Sequence, residues 1–101
     1  MRIFWSDRSL KDLEEIFQFY AEFAGIEIGQ RIVIRIVNKV GILSSNPELG
    51  QIQHFESSLN FPYRYLIEGN HKIIYRLDLE KNQILIARVF DTRRDRSMLN
   101  L

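Results

Sequence analysis

The chain has 101 residues, of which 46% are hydrophobic and 12% aromatic, and its formal net charge is +1. This length and composition predict one folded domain over residues 1–101 and argue against disorder. The small net charge gives no overall attraction to nucleic acid, and the lack of cysteine excludes disulfides and thiolate metal sites. No apolar run is long enough to cross a bilayer, and the N-terminus lacks the apolar core of a signal peptide, so we expect a cytoplasmic protein with no membrane partner.

The first predicted elements are a short apolar strand over residues 2–5 and a helix after it. Ser6 is a favourable helix N-cap, and Asp7 suits the positive end of the helix dipole. Apolar side chains then recur at steps of three and four, as in an amphipathic helix: Leu10, Leu13, Ile16, Phe17, Tyr20, Phe23 and Ala24. Polar residues fall mainly on the opposite face: Lys11, Asp12, Glu15, Gln18 and Glu22.

The stretch from residue 27 to residue 45 gives conflicting signals. Its many isoleucines and valines favour a strand. However, the run is too long for a typical strand, and one helical face carries an apolar row: Ile28, Ile32, Ile36, Val40 and Leu43. We therefore predict a second helix, which forms a hairpin with the first through a short connection at Gly25.

The C-terminal half is predicted to contain a long loop and then a sheet. Residues 46–62 hold both prolines and show no sustained period, which predicts a surface loop. Residues 63–96 contain three runs rich in β-branched and aromatic residues, separated by turn signals at residues 68–70 and 80–82, which predicts an antiparallel three-stranded meander. The predicted fold class is α+β: an N-terminal strand, a two-helix hairpin and the meander, with the helices packed on one face of the sheet.

Strict alternation divides the third predicted strand into two rows of side chains. One row is Leu85, Ala87 and Val89, and the other is Ile84, Ile86, Arg88 and Phe90. Both rows are apolar enough to pack against helices, which is typical of a central strand.

Four blocks of sequence resemble the RelE/ParE superfamily of bacterial type II toxins, which includes plasmid stabilisation proteins: DLEEIFQFY, NPELG, YRYLIEGNHKIIYRLD and ILIARVFDTRRD. The resemblance covers nearly the whole chain. It implies a growth-inhibiting toxin without a cofactor, silenced by a cognate antitoxin and brought to operator DNA only through that antitoxin. Two activities occur in the superfamily: poisoning of DNA gyrase by binding, and ribosome-dependent cleavage of mRNA.

The resemblance also bears on the choice between these activities. RelE-type RNases activate a ribose hydroxyl and stabilise the phosphorane with lysines before the sheet turn, an arginine after it, a second arginine and a C-terminal tyrosine. Lys72 and Arg94 stand at the two arginine positions and would be catalytic in an RNase. Tyr63 and Tyr65 replace the lysines, and Asn100 replaces the tyrosine. We therefore expect a ParE-like toxin that binds gyrase and is not an enzyme; the alternatives are an endoribonuclease acting on ribosome and mRNA, and an inactive family member.

An arginine-rich segment follows the last predicted strand and is the candidate surface for the target or the antitoxin: Arg88, Arg93, Arg94 and Arg96. Pairing of these residues with Asp91 and Asp95 is the competing interpretation.

Two further features have functional interpretations. His54 and His71 are candidate general bases, but without a third ligand nearby they predict no metal site. Phe19, Ile26 and Ile34 lie off the main helical stripes and, if exposed, would form an apolar partner surface.

Overall fold

The structure is a computed structural model that describes residues 1–53 and 62–93. Its elements in chain order are β1 (Arg2–Trp5), α1 (Asp7–Ala24), α2 (Ile26–Gly41), a 3-10 turn (Ile42–Ser44), β2 (Gln51–Gln53), β3 (Tyr63–Glu68), β4 (His71–Asp78) and β5 (Gln83–Asp91). The predicted α+β class is confirmed, with the helix hairpin packed on one face of the sheet.

The sheet has five strands in the order β1-β5-β4-β3-β2. The meander pairs antiparallel as predicted, while β1 lies parallel to β5, with Arg2 opposite Gln83 and Trp5 opposite Ile86. The parallel pair needs a crossover connection, and the two helices begin that connection. The first strand of the chain therefore joins the sheet by pairing with the last strand.

The predicted helix boundaries follow from two local signals. Ser6 caps α1, because its Oγ accepts a hydrogen bond from the Ser9 amide at 3.0 Å. Gly25 separates the helices with a φ of +103°, a backbone conformation that residues with side chains rarely adopt. The tight hairpin therefore depends on glycine at this position.

The core lies between the helix hairpin and the sheet. Its buried members come from both helices, the 3-10 turn and three strands: Ile16, Ile36, Val40, Leu43, Leu66, Ile73, Tyr75, Ile84, Ile86 and Val89. Full burial of an aliphatic side chain contributes about 1.5–3 kcal/mol. The predicted stripes extend beyond this core, because Leu10 and Phe23 in α1 and Ile28 in α2 are exposed.

Asp12 is an exception to the polar row in which the helical spacing places it. Asp12 is only 2% exposed, although it lies in the polar row of an amphipathic helix. The physical reason is a tertiary contact: its carboxylate accepts a hydrogen bond from the Val89 amide of β5 at 2.9 Å. Helical periodicity alone does not show which polar residue is used in this way.

A β-bulge changes the predicted alternation in β5. Tyr75 pairs with Ile86 and Ile74 pairs with Arg88, so Ala87 is left without a partner in β4. Val89 therefore joins Ile86 on the face toward the helices, where both are buried. The prediction that Val89 shares a row with Ala87 was wrong, because strict alternation does not allow for one inserted residue.

The predicted loop over residues 46–62 was also partly wrong. Gln51–Gln53 form an edge strand that pairs antiparallel with residues 63–65 of β3. A strand of three residues is too short to show a period of two in the sequence. The rest of that prediction, over residues 54–61, lies outside the described residues.

The buried tyrosine of β4 holds the segment that leads into this edge strand. The Tyr75 hydroxyl accepts a hydrogen bond from the Gly50 amide at 2.8 Å and donates one to the Pro47 carbonyl at 2.9 Å. A Cβ at Gly50 would lie 2.7 Å from the Tyr65 carbonyl oxygen and from the Tyr75 hydroxyl, so only glycine fits. The NPELG block therefore has a structural role.

Among the residues that the structure describes, neither helix is long and apolar enough to span a membrane.

Removal of the Tyr75 hydroxyl is expected to destabilise the protein. Tyr75→Phe leaves the Gly50 amide and the Pro47 carbonyl without this partner, which should lower the free energy of unfolding by about 1–3 kcal/mol in urea titrations. The control is Tyr65→Phe, since within residues 1–53 and 62–93 the Tyr65 hydroxyl bonds only an exposed glutamine side chain, Gln51. Equal losses in the two variants would contradict this role for Tyr75.

Candidate functional site

The pairing of β5 with β1 ends at Ile86, and beyond that residue α1 covers the edge of β5. Asp12 Oδ2 accepts hydrogen bonds from the Val89 amide and from Arg88 Nε, both at 2.9 Å, and Oδ1 lies 3.4 Å from Arg8 Nε. The Arg88 side chain is 12% exposed. Arg88 was predicted to contact a target or antitoxin, but its guanidinium is already engaged in this buried ion pair.

A second polar cluster joins α1 to the end of β5. The Tyr20 hydroxyl donates to Asp91 Oδ2 at 3.1 Å and accepts from Arg93 Nη2 at 3.1 Å. Asp91 Oδ1 also accepts from the Arg93 amide at 2.8 Å, and Arg93 Nη2 lies 3.0 Å from Asp91 Oδ2. Arg93 is thus paired with Asp91, as the competing interpretation expects. Its side chain is nevertheless 58% exposed and still faces solvent.

The cluster sets the protonation state of the buried carboxylate. Burial alone would raise the pKa of Asp91, but hydrogen bonds from the Arg93 side chain and amide and from Tyr20 outweigh it and lower the pKa to about 2. Burial and the neighbouring Asp91 carboxylate raise the pKa of Tyr20, so its hydroxyl stays protonated. The cluster is therefore an ion pair with a neutral phenol between its members.

His71 lies beside this cluster, directly opposite Asp91 in the sheet. It is 4% exposed, and burial lowers its pKa, so the ring is neutral at pH 7. Its Nε2 has no hydrogen-bond partner among the described residues. The other histidine named as a candidate base, His54, lies outside the described residues.

These groups border a cavity of about 290 Å³ between the helices and the turn that joins β3 to β4. Its polar lining includes Tyr20, Arg35, Glu68, His71 and Arg93, and we call it the Arg35–Glu68 cavity. Arg35 and Glu68 were not predicted as site residues. The one signal in the sequence was the charge at Arg35, which interrupts an otherwise apolar run in α2.

Lys72 lies on the other face of the sheet, the outer face, because its neighbours His71 and Ile73 face the helices. Its ammonium lies 4.2 Å from the centre of the Tyr65 ring, a cation–π contact, and burial lowers the pKa of Lys72. Its partners across the neighbouring strands are Ile67 and Phe90.

The predicted site residues are therefore not gathered at one place. Lys72 is on the outer face, whereas Arg88 and Arg93 bond to side chains of α1. Arg94 and Arg96 lie outside the described residues. Within residues 1–53 and 62–93, no group of three potential ligands is arranged to hold a metal ion.

Comparison with known proteins identifies one sequence family and several similar structures. Residues 3–96 match the model of a family described as the ParE toxin of the type II toxin–antitoxin system parDE. A structure of a chromosomal ParDE toxin–antitoxin system from P. aeruginosa has 24% identity and a TM-score of 0.74, covering 90% of this chain and 95% of that one. No curated protein sequence matches the chain significantly.

Two further structures share the fold at lower similarity. The RelBE2 toxin–antitoxin complex from Mycobacterium tuberculosis has 21% identity and a TM-score of 0.64, with 89% of this chain and 95% of that chain covered. The isolated E. coli RelE toxin has 12% identity and a TM-score of 0.57, with 96% and 89% covered. At these identities the likeness supports the fold alone.

The cluster around Asp91 predicts a specific loss of stability in acid. The folded-state pKa of about 2 is below the ordinary 3.8, so the unfolded chain binds the proton first and stability falls as the pH drops from about 4 to 2. In denaturant titrations, the free energy of unfolding of the wild type minus that of Asp91→Asn should therefore decrease by about 2 kcal/mol between pH 5 and pH 2.

Two comparisons make this test specific. Arg93→Gln should flatten the same pH dependence, because it removes the guanidinium that lowers the pKa of Asp91. His71, whose pKa burial lowers and the Asp91 carboxylate raises, should add a decline in stability below about pH 6.5 in both proteins, and a larger one in Asp91→Asn, which lacks that carboxylate. If the difference in free energy of unfolding between the wild type and Asp91→Asn did not vary with pH, this would contradict the lowered pKa of Asp91.

Proposed function

The chain belongs to the ParE toxin family of type II toxin–antitoxin systems, and from this premise we propose that it inhibits growth by binding and poisoning DNA gyrase. A cognate antitoxin silences it in the cell that makes it. The proposal gives the chain a protein target and no covalent chemistry of its own.

The contacts of Lys72 are the observation on which we propose gyrase, and not mRNA, as the target. RNA cleavage of the RelE type needs cationic groups at the scissile phosphate and groups that transfer protons. Lys72 instead has apolar partners across both neighbouring strands, Ile67 and Phe90, and its ammonium contacts the Tyr65 ring. His71, the next residue in the chain, faces the helices. These contacts suit a binding surface better than an acid–base site.

The composition of the outer face also supports binding to a protein. Aromatic side chains and arginine are enriched at the centres of protein interfaces, where they contribute most of the binding energy. Tyr63 and Tyr65 lie on this face, and the side chains of Phe4 and Ile67, on the same face, are 38% and 47% exposed. A surface of this kind offers a protein target more apolar contact than a phosphate backbone would use.

The helix hairpin offers a separate surface for the antitoxin. A groove of about 560 Å³ lies between α1 and α2, and Leu13, Phe17, Val33 and Ile34 form its apolar lining. Ile34 is 56% exposed, as the prediction of an apolar partner surface requires. A disordered antitoxin segment that folds on binding would cover this groove.

The other two residues predicted for this partner surface differ from each other. Ile26 is 63% exposed at the start of α2. Phe19 is half-buried, and its ring packs against the rings of Tyr20 and Phe23. Ile26 therefore remains part of the proposed antitoxin surface, whereas the ring of Phe19 is engaged by its neighbours in α1.

The target is tested by two assays on the same purified protein. We expect inhibition of DNA supercoiling by gyrase with accumulation of cleaved DNA, because a gyrase poison traps the enzyme on broken DNA. We expect no ribosome-dependent cleavage of mRNA. Position-specific mRNA cuts that disappear in Arg94→Ala would overturn the choice of target.

The antitoxin surface is tested by exchange of one exposed isoleucine. Co-expression with the adjacent reading frame should give a complex that co-purifies and unfolds at a higher temperature than the free chain. Ile34→Glu should weaken binding at least on the order of tenfold, because a charge replaces an apolar contact in the groove.

The matched control is Ile42→Glu in the 3-10 turn. Ile42 is 46% exposed and does not line the groove. Equal weakening by the two variants would place the antitoxin elsewhere.

A further inference from the structure

The Arg35–Glu68 cavity contains polar groups that the fold leaves without partners. Neither the Arg35 guanidinium nor the Glu68 carboxylate makes a hydrogen bond or ion pair with any described residue. Nε2 of His71 is buried and also unpartnered within the described part of the chain. A buried polar atom without a partner costs free energy, so an occupant that satisfied Nε2 of His71 would be stabilised, whereas the exposed Arg35 and the half-buried Glu68 would exchange water for the occupant.

The charges of the lining balance. Arg93 is paired with Asp91, and Arg35 and Glu68 carry opposite charges at the same cavity. The cavity therefore attracts neither a simple anion nor a simple cation.

The cavity offers a hydrogen-bond donor and two acceptors. Arg35 can only donate, and the Glu68 carboxylate accepts. The His71 ring is hydrogen-bonded to the Glu68 backbone, which favours a proton on the engaged nitrogen and leaves Nε2 as an acceptor. A complementary group must present a carbonyl oxygen and an N–H together.

The size and apolar lining of the cavity limit what can enter. Its volume of about 290 Å³ holds a single side chain, and Ile32 and Ile36 provide apolar contact for a methylene stem. The primary carboxamide of glutamine or asparagine is the neutral side-chain group with two N–H donors beside an acceptor oxygen.

The position of the cavity indicates which molecule supplies that side chain. Val33 and Ile34 line the groove proposed for the antitoxin, and Arg35 and Ile36, the next residues of α2, line the cavity. A chain segment that crosses α2 from the groove therefore reaches the cavity within one helical turn.

We propose that the Arg35–Glu68 cavity receives a glutamine or asparagine side chain of the bound antitoxin. The amide oxygen accepts from Arg35, and the amide N–H groups donate to the Glu68 carboxylate and to Nε2 of His71. This inference rests on the proposed antitoxin partner and is independent of the target of the toxin.

The test compares two variants that change the charge of the cavity in opposite directions. Arg35→Met and Glu68→Gln are each combined with the co-purified antitoxin, and the dissociation constants are measured by surface plasmon resonance. A dipolar carboxamide loses a hydrogen bond in both variants, so each should bind on the order of tenfold more weakly. Arg31→Met, four residues earlier on α2 and outside the cavity, should bind within about twofold of the wild type.

The other outcomes overturn the proposal in distinguishable ways. Opposite effects of Arg35→Met and Glu68→Gln would mean that the antitoxin responds only to net charge. Wild-type affinity in both variants would mean that the cavity is not contacted, while the complex itself would still support the antitoxin surface. A wild-type chain that binds no product of the adjacent reading frame would overturn the antitoxin partner and the cavity proposal together.

A spectroscopic measurement adds a readout that a change in stability does not produce. In nitrogen NMR of the labelled toxin, the Nε2 resonance of His71 should move to lower frequency on complex formation, because its lone pair gains a hydrogen bond while the ring stays neutral. The same resonance should not move in a complex with an antitoxin whose asparagines and glutamines in the bound segment are replaced by leucine. An unchanged Nε2 resonance in the wild-type complex would overturn the proposal.

Discussion

The buried carboxylate of Asp12 joins the helix layer to the last strand, and the position of the polar cluster at the end of that strand depends on it. β1 covers β5 only as far as Ile86, so the amide of Val89 would be buried without a partner if Asp12 did not accept its hydrogen bond. An unpaired buried amide costs about 1–3 kcal/mol, and Arg88 supplies the charge that balances the carboxylate. Because this contact fixes α1 against β5, Tyr20, about two turns further along α1, meets Asp91 at the end of the strand.

The two faces of the sheet carry different kinds of side chain. His71 and Lys72 are neighbours in the chain, yet alternation places His71 toward the helices and Lys72 on the outer face. The outer face carries aromatic and apolar side chains around Lys72, with Arg76 opposite Tyr63 on the same face, while the helix side carries an ion pair, a neutral histidine and a cavity. A toxin needs both a target surface and a surface by which it is silenced, and this separation lets the two be different.

The elements with strong periodic patterns were predictable, and those that depend on tertiary contacts were not. The spacing of Leu13, Ile16 and Tyr20 predicted α1, and the turn signals at residues 68–70 and 80–82 predicted the meander. The edge strand of residues 51–53 was missed because it is placed by pairing with β3 and by the bonds of Tyr75 to the segment before it. The bulge at Ala87 and the burial of Asp12 were missed for the same reason, since each is set by a partner distant in sequence. Arg35 and Glu68 come together only when α2 packs beside the β3–β4 turn, so no local motif marks the cavity.

The central claim is that the chain poisons gyrase by binding and does not cut RNA. The most direct measurement maps double-strand DNA breaks and mRNA 5′ ends in the same culture, within one generation of induction of the chain. The account predicts new DNA breaks at gyrase sites, absent in cells that carry a gyrase resistant to the toxin, and no new cuts within codons. In-frame mRNA cuts with intact DNA would contradict it.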